Sequence, residues 1–299
     1  MLNDTLTLVQ VINTYDALLI DDIVRRFHLA EASYAKASRR LKSLSDPDDK
    51  DRLLDAKWIP HPTKLRGGPS KVYLVGPGGE KLLRAQGQEV KRFDFGHTNE
   101  VSKHNWHSLY VNKALISAYL WADQVPGVNI AAKQTDFDFK REANKHPARY
   151  KVKWGDGTTH GIVPDGLLAF EFEEKDEEDK QFLLELETGS QEPAAIREKV
   201  HSLVMFEQKF PEVFNSTLFN GYLFFAMGIY GKRYLSPDDH RKVLLREIAK
   251  QLGEMDLREE YGPLFRVTAE PPDSPHLFDR AVWWFPGQYE PFRLFVDLT

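Results

Sequence analysis

The stretch that decides the fold is Pro164–Glu187, which reads PDGLLAFEFEEKDEEDKQFLLELE. Apolar residues alternate with others over Leu167–Phe172 and again over Gln181–Glu187, which is the period of a half-buried strand. The residues between them, Glu173–Lys180, are all charged and suit a turn in solvent. We therefore predict two adjacent antiparallel strands joined by this acidic turn.

Three carboxylates fall at the ends of these two predicted strands. Asp165 precedes the first strand, and Glu185 and Glu187 end the second, where their i, i+2 spacing places them on one face. Anions that meet in this way need a cation or protons, and carboxylate oxygens are the ligands of hard divalent cations. The pattern predicts a Mg²⁺ or Mn²⁺ site at Asp165, Glu185 and Glu187. The alternative is that all three are solvent-exposed groups of an ordinary hairpin.

Composition limits the class of protein. A chain of 299 residues with 41% hydrophobic residues is long enough for about two domains with buried cores. It contains no apolar run near the ~20 residues that cross a bilayer, and its first residues lack the pattern of a signal peptide. The absence of cysteine excludes disulfides and thiolate metal sites, and it fits a cytoplasmic protein.

The net charge argues against a protein dedicated to binding nucleic acid, but the charge is modestly asymmetric along the chain. The net charge of the chain is −5, but residues 1–95 carry 16 Lys and Arg against 13 Asp and Glu. The remainder carries 24 against 32, so the basic excess lies at the N-terminal end.

Apolar periodicity predicts three helices near the N-terminus, namely Thr5–Tyr15, a short helix that opens at Asp21 and Asp22, and Glu31–Leu44. Two short helices separated by a tight turn, the second of them basic, are typical of a helix-turn-helix. Ala32, Ala35, Leu41 and Leu44 are expected to face inward on the third helix. The residues expected to contact DNA from that helix are Ser33, Lys36, Arg39, Arg40 and Lys42.

Two predicted strands, Leu53–Pro60 and Lys71–Val75, flank a basic, Gly- and Pro-rich loop that fits the wing of a winged helix. Lys64 and Arg66 in this loop are expected to lie against phosphates. We therefore predict a winged helix-turn-helix domain over residues 1–90, with double-stranded DNA as its partner. A protein-interaction module is the alternative, and the acidic run of residues 46–51 counts in its favour.

A second domain is predicted over residues 97–299, after a polar linker. It reads as a long helix, a strand, a polar loop over Gln134–Ala148, a hairpin, the two strands described above, and then a helix, a strand and a helix. The later elements are expected at Glu192–Phe210, Gly221–Met227 and Pro237–Gly253, the last of them capped by Ser236. This is the αβββαβ order of the restriction-endonuclease-like, or PD-(D/E)xK, fold. The predicted fold class is accordingly α+β, with a winged helix followed by that domain.

Four segments add a family resemblance. HNWHSLYVNKAL, VPDGLLAF, FLLELETGS and EKVHSLVMF follow the predicted winged helix in this order. Over about residues 5–230 the chain resembles the bacterial plasmid replication-relaxation proteins, which combine a winged helix with a PD-(D/E)xK-like domain. The resemblance implies a DNA-binding protein of plasmid replication or transfer, with replication or transfer proteins as further partners. Winged-helix proteins often act as dimers, so a homodimer is also expected.

Within this resemblance, Asp165 matches the acidic residue of the PD half-motif and Glu185 matches the (D/E) position. Glu187 stands where such nucleases usually have lysine. Three possibilities follow: Lys199 supplies the ammonium from the next helix, Glu187 joins the metal ligands, or catalysis has been lost. The chain is therefore either a Mg²⁺-dependent nuclease or nickase, or a non-enzymatic DNA-binding accessory or transcription regulator with a degenerate nuclease domain.

Overall fold

The computed structural model divides the chain into two compact units, Met1–Ile116 and Ser117–Thr299. Helices and strands occur in both units, and the protein has the predicted α+β class. The structure describes residues 4–27, 34–59, 70–91, 103–148, 150–154, 157–173, 178–189, 191–209, 219–227 and 236–295. None of the helices in these ranges has the length and apolar character that a membrane span requires.

The first unit combines short helices with a three-stranded sheet. The strand β3 lies between β1 and β2 and is antiparallel to both. The carboxylate of Asp4 caps the first helix, because it accepts hydrogen bonds from the backbone amides of Leu6 and Thr7. The elements are α1 (Thr5–Thr14), β1 (Leu18–Leu19), α2 (Ile20–Arg26), α3 (Tyr34–Leu44), β2 (Leu54–Ile59), β3 (Ser70–Val75) and α4 (Pro77–Ala85).

The helix α3 buries one stripe of side chains. Ala37, Leu41 and Leu44 are buried, and their i, i+4, i+7 spacing places them on one side of the helix. The inward position predicted for Ala35 is wrong, because this residue is exposed. Ala32 and the predicted start of the helix lie outside the described residues.

The long helix α5 (Lys103–Ala122) begins in the first unit. The buried side chain of Asn112 donates a hydrogen bond of 2.8 Å to the carbonyl oxygen of Tyr15. The next residue, Lys113, forms a buried ion pair with Asp22 at 2.9 Å. These contacts join the first half of the helix to α1 and α2, so the unit boundary falls inside α5, C-terminal to the predicted linker.

The second unit is built on a five-stranded mixed sheet. The strand order is β10-β9-β8-β7-β4, in which β4, β7 and β8 are successively antiparallel while β8, β9 and β10 are parallel. Two separate strands, β5 and β6, form a hairpin. The elements are β4 (Val128–Gln134), α6 (Asp136–Lys145), β5 (Lys151–Lys153), β6 (Thr159–Gly161), β7 (Gly166–Phe172), β8 (Lys180–Glu187), α7 (Pro193–Lys209), β9 (Phe219–Ala226), α8 (Pro237–Glu254), α9 (Arg258–Tyr261) and β10 (Phe265–Thr268).

The strand β8 lies at the centre of this sheet and is buried on both faces. On one face, Leu183 belongs to the apolar core that α7 and α8 form with the sheet. On the other face, Phe182 packs with aromatic rings that include Phe170 and Phe295. The predicted antiparallel pairing of β7 with β8 is confirmed by the register, in which Gly166 lies opposite Leu184.

The prediction of a loop over Gln134–Ala148 is wrong, because this stretch contains α6. Thr135 and Asp138 form a reciprocal capping box at its start. Phe139 is buried and packs edge-on against Tyr150 in the core of the unit. A capped start and one anchoring aromatic ring outweigh the polar composition that suggested a loop.

Candidate functional site

The three carboxylates singled out in the sequence lie together at one end of β7 and β8. Asp165 stands immediately before β7, and its Oδ2 accepts a hydrogen bond of 2.8 Å from the backbone amide of Leu186. Leu186 lies between Glu185 and Glu187, whose side chains share one face of β8. The antiparallel pairing of the two strands thus positions all three carboxylates.

The helix α7 contributes a cation to this cluster. Nζ of Lys199 donates to Oε2 of Glu185 at 2.9 Å and to Oε1 of Glu187 at 2.6 Å. The two strand residues are each 1% exposed and Asp165 is 9% exposed, whereas the Lys199 side chain is 21% exposed. The alternative of solvent-exposed carboxylates is therefore excluded. We call Asp165, Glu185, Glu187 and Lys199 the carboxylate–lysine cluster.

Burial and charge shift the proton affinities within the cluster. Burial is the main cause that raises the pKa of Glu185 to about 8; the Lys199 ammonium opposes this shift, and the charges of Asp165 and Glu187 add to it. Burial also acts to lower the pKa of Lys199, but the carboxylates outweigh it and hold this pKa well above its ordinary value. Lys199 is therefore charged near neutral pH, and Glu185 keeps its proton to a higher pH than an ordinary glutamate does.

The donor set of the cluster suits the predicted Mg²⁺ or Mn²⁺, since its acceptors are carboxylate oxygens. In the part of the chain that the structure describes, no group of three His, Asp or Glu side chains is arranged to hold a metal ion. The Lys199 ammonium already supplies positive charge to Glu185 and Glu187. Asp165 and Glu185 are the residues that would hold a divalent ion, with the ammonium beside it.

A second feature of α7 had no signal in the sequence. The ring of Trp154 stacks between the imidazoles of His160 and His201, with ring centroids 3.8 and 4.3 Å apart. Nδ1 of His160 lies 2.7 Å from a carboxylate oxygen of Glu198, the residue next to Lys199. These rings border an open cleft of about 500 Å³ along the neighbouring face of the helix. Because the stack joins the β5–β6 hairpin to α7, only tertiary structure could reveal it.

The residues predicted to contact DNA are distributed unevenly. Lys36, Arg39 and Lys42 are exposed on α3. Arg40 is half-buried, and its Nη2 donates a hydrogen bond of 2.7 Å to Oγ1 of Thr5 on α1, so its guanidinium is directed at the neighbouring helix. Ser33, Lys64 and Arg66 lie outside the described residues, as does the predicted wing up to residue 69.

Comparison of the chain with protein-family models, with curated proteins and with solved structures finds no match.

Proposed function

We propose that the protein binds double-stranded DNA through its first unit and that the carboxylate–lysine cluster cuts or nicks phosphodiester bonds with the help of a divalent ion. The observation that carries this proposal is the contact of the Lys199 ammonium with both Glu185 and Glu187, beside Asp165. A PD-(D/E)xK nuclease needs two carboxylates and an ammonium at one sheet end. Here the ammonium comes from α7, which compensates for the acid at position 187.

The topology of the second unit supports the same proposal. The strands β4, β7 and β8 form an antiparallel meander, α7 follows, and β9 then joins the sheet parallel to β8. Together with the preceding helix α5, this order is consistent with the αβββαβ order proposed from the sequence. The strands next to Asp165 and Glu185 would then correspond to those on which the restriction-endonuclease-like fold carries its acidic residues.

Each residue of the cluster has a role in the proposed chemistry. A bound divalent ion would supply a Lewis acid for the phosphoryl group and a water of lowered pKa. Asp165 and Glu185 would hold that ion, and Glu185, whose pKa burial raises to about 8, would have to be deprotonated to act as a ligand. Lys199 keeps Glu185 and Glu187 in place and donates a charged hydrogen bond to a phosphate oxygen as negative charge develops there.

The first unit supports the DNA-binding half of the proposal. The helices α2 and α3 are followed by the antiparallel strands β2 and β3, the order of a winged helix. Lys36, Arg39 and Lys42 are exposed along α3, where they can contact phosphates or base edges. We propose that these three residues, rather than the half-buried Arg40, carry the phosphate contacts of this helix.

One observation favours a second function, that of a non-enzymatic DNA-binding accessory for plasmid replication or transfer. Among the described residues no group of three His, Asp or Glu side chains is arranged to hold a metal ion, and the Lys199 ammonium occupies the space beside both glutamates of the cluster. A degenerate site held together by Lys199 would give the same geometry without catalysis.

Nicking of supercoiled plasmid separates the two functions. With Mg²⁺ or Mn²⁺, the nuclease proposal expects nicking that EDTA abolishes, that Asp165→Asn removes, and that Lys199→Met slows by about 10²-fold or more. Lys209→Met on the same helix is the matched control and should leave the rate unchanged. Plasmid that stays supercoiled at every metal concentration, while duplex DNA is still bound, would instead support the accessory.

The response of stability to metal is an independent readout. Mg²⁺ should raise the melting temperature of the wild type, and this shift should grow as the pH rises toward 8, because Glu185 must lose its proton to bind the ion. Asp165→Asn should abolish the shift. A shift that is absent, or equal at pH 6 and pH 8.5, would contradict the role given to Glu185.

A further inference from the structure

The first unit exposes two aromatic rings in one cleft. Tyr34, at the start of α3, is 41% exposed, and Trp58, on β2, is 61% exposed. In the described part of the chain only one other large hydrophobic side chain is exposed, Tyr289 of the second unit. Two of the three exposed aromatic side chains thus line one cleft. The packing of the first unit does not require these two rings to be exposed together.

The cleft has a defined shape and chemistry. It encloses about 290 Å³ and is lined by residues of β1, α2, α3, β2 and β3. Trp58 lies opposite Lys71 in the β2–β3 register, and Nζ of Lys71 lies 5.5 Å from the indole centroid and 6.0 Å from the ring of Tyr73. The Lys71 ammonium therefore lies over the rings of Trp58 and Tyr73, and Ser38 and Ser70 add polar lining.

One acidic residue also belongs to the cleft. Burial is the main cause that raises the pKa of Tyr34, and a hydrogen bond and the charge of Asp21 add to it. Asp21 lines the cleft, and it offers a carboxylate oxygen that can accept a hydrogen bond from an exocyclic amine of a base. The cleft thus presents ring faces, a cation, hydroxyl groups and one acceptor.

These groups match an unpaired nucleotide more closely than they match a paired duplex. Exposed aromatic rings provide stacking platforms for the flat faces of unpaired bases, and a neighbouring ammonium holds the phosphate. In a paired duplex those faces are covered by neighbouring bases. The helix that contributes Tyr34 and Ser38 to the cleft also exposes Lys36, Arg39 and Lys42, so the same element offers cations to the phosphates of a bound strand.

We propose that this Tyr34–Trp58 cleft stacks an unpaired base, so that the protein binds DNA with a locally opened or flipped base more tightly than fully paired DNA. The inference rests on the proposed DNA-binding function and deepens it by naming the class of DNA that the first unit prefers.

Fluorescence anisotropy with two labelled oligonucleotide duplexes tests the proposal. The duplexes have the same length and composition, and one of them contains a short central bubble. The wild type should bind the bubble duplex more tightly, and Trp58→Ala should weaken that binding on the order of tenfold while leaving the affinity for the paired duplex unchanged. Trp58→Phe should retain part of the preference, and Tyr289→Ala, which removes an exposed ring elsewhere, should retain all of it. Because Trp58 is exposed, its loss should leave the melting temperature near that of the wild type.

Other outcomes would overturn the proposal. The wild type could bind both duplexes with equal affinity, or Trp58→Ala could lose the same affinity for both. Either result would mean that the cleft does not select unpaired bases. The proposals of duplex binding and plasmid nicking would still stand. A change of sedimentation coefficient in Trp58→Ala with DNA affinities unaltered would assign the cleft to contact between protein copies. Failure to bind either duplex would remove this proposal together with the DNA-binding function.

Discussion

The substitution Glu185→Gln is the sharpest probe of the carboxylate–lysine cluster. Glutamine keeps the shape of the side chain and an oxygen that accepts from Nζ of Lys199, the contact that Glu185 makes at 2.9 Å. Glutamine cannot ionise, whereas Glu185 can, and burial raises the pKa of Glu185 from 4.5 to about 8. Any pH-dependent difference in the free energy of unfolding between the wild type and this variant therefore reports on the proton of Glu185.

The sign and size of the expected change in the free energy of unfolding follow from the shift in the pKa of Glu185. A carboxyl group whose pKa is raised on folding keeps its proton in the native state after the unfolded chain has lost it. Its contribution to stability is therefore fully present below the unfolded pKa of 4.5 and is lost as the pH rises toward the folded pKa of about 8. Between pH 5 and pH 9 the free energy of unfolding of the wild type should fall, relative to that of Glu185→Gln, by about 4 kcal/mol at most.

Urea denaturation at several pH values, followed by tryptophan fluorescence, measures this difference. Glu171→Gln, which alters an exposed carboxylate on β7, is the control and should follow the wild type at every pH. A difference between the wild type and Glu185→Gln that stays constant from pH 5 to pH 9 would refute the reasoning. Glu185 would then ionise like a solvated carboxylate, and the cluster would not hold its proton near neutral pH.

Two further predictions concern the fold. Gly221 in β9 has a φ of +137°, and a Cβ there would meet backbone of a neighbouring segment, so Gly221→Ala should lower the free energy of unfolding by about 2 kcal/mol or more. Gly253→Ala in α8, where no atom lies within 4 Å of the added Cβ, is the control and should stabilise by about 1 kcal/mol in the same urea titration. Lys113→Met removes the ammonium that lies 2.9 Å from the buried Asp22 and should cost about 3 kcal/mol or more. Lys81→Met removes an exposed ion pair and should leave the midpoint unchanged; equal effects of the two lysine variants would contradict the role of the buried pair.

The sequence by itself determined the local elements. The alternation around Asp165 and Glu185 predicted two antiparallel strands, which the register confirms. Ser236 predicted the start of α8, and its side chain accepts a hydrogen bond from the backbone amide of Asp239 there. These signals succeed because a period of two and a capping side chain act between residues a few positions apart. The loop predicted over residues 134–148 is wrong although α6 begins with the local capping box of Thr135 and Asp138, and the packing of Phe139 against the core was not visible in the sequence.

Tertiary structure alone decided how the candidate sites are assembled. Spacing along β8 placed Glu185 and Glu187 on one face, but the burial of that face and its pairing with Lys199 depend on how α7 packs against the sheet. The sequence could therefore predict a need for compensating charge without showing that an ammonium supplies it. The cleft around Trp58 likewise depends on strands and helices distant in sequence. Desolvation and charge compensation are set by every segment that surrounds a group, and no local pattern contains that information.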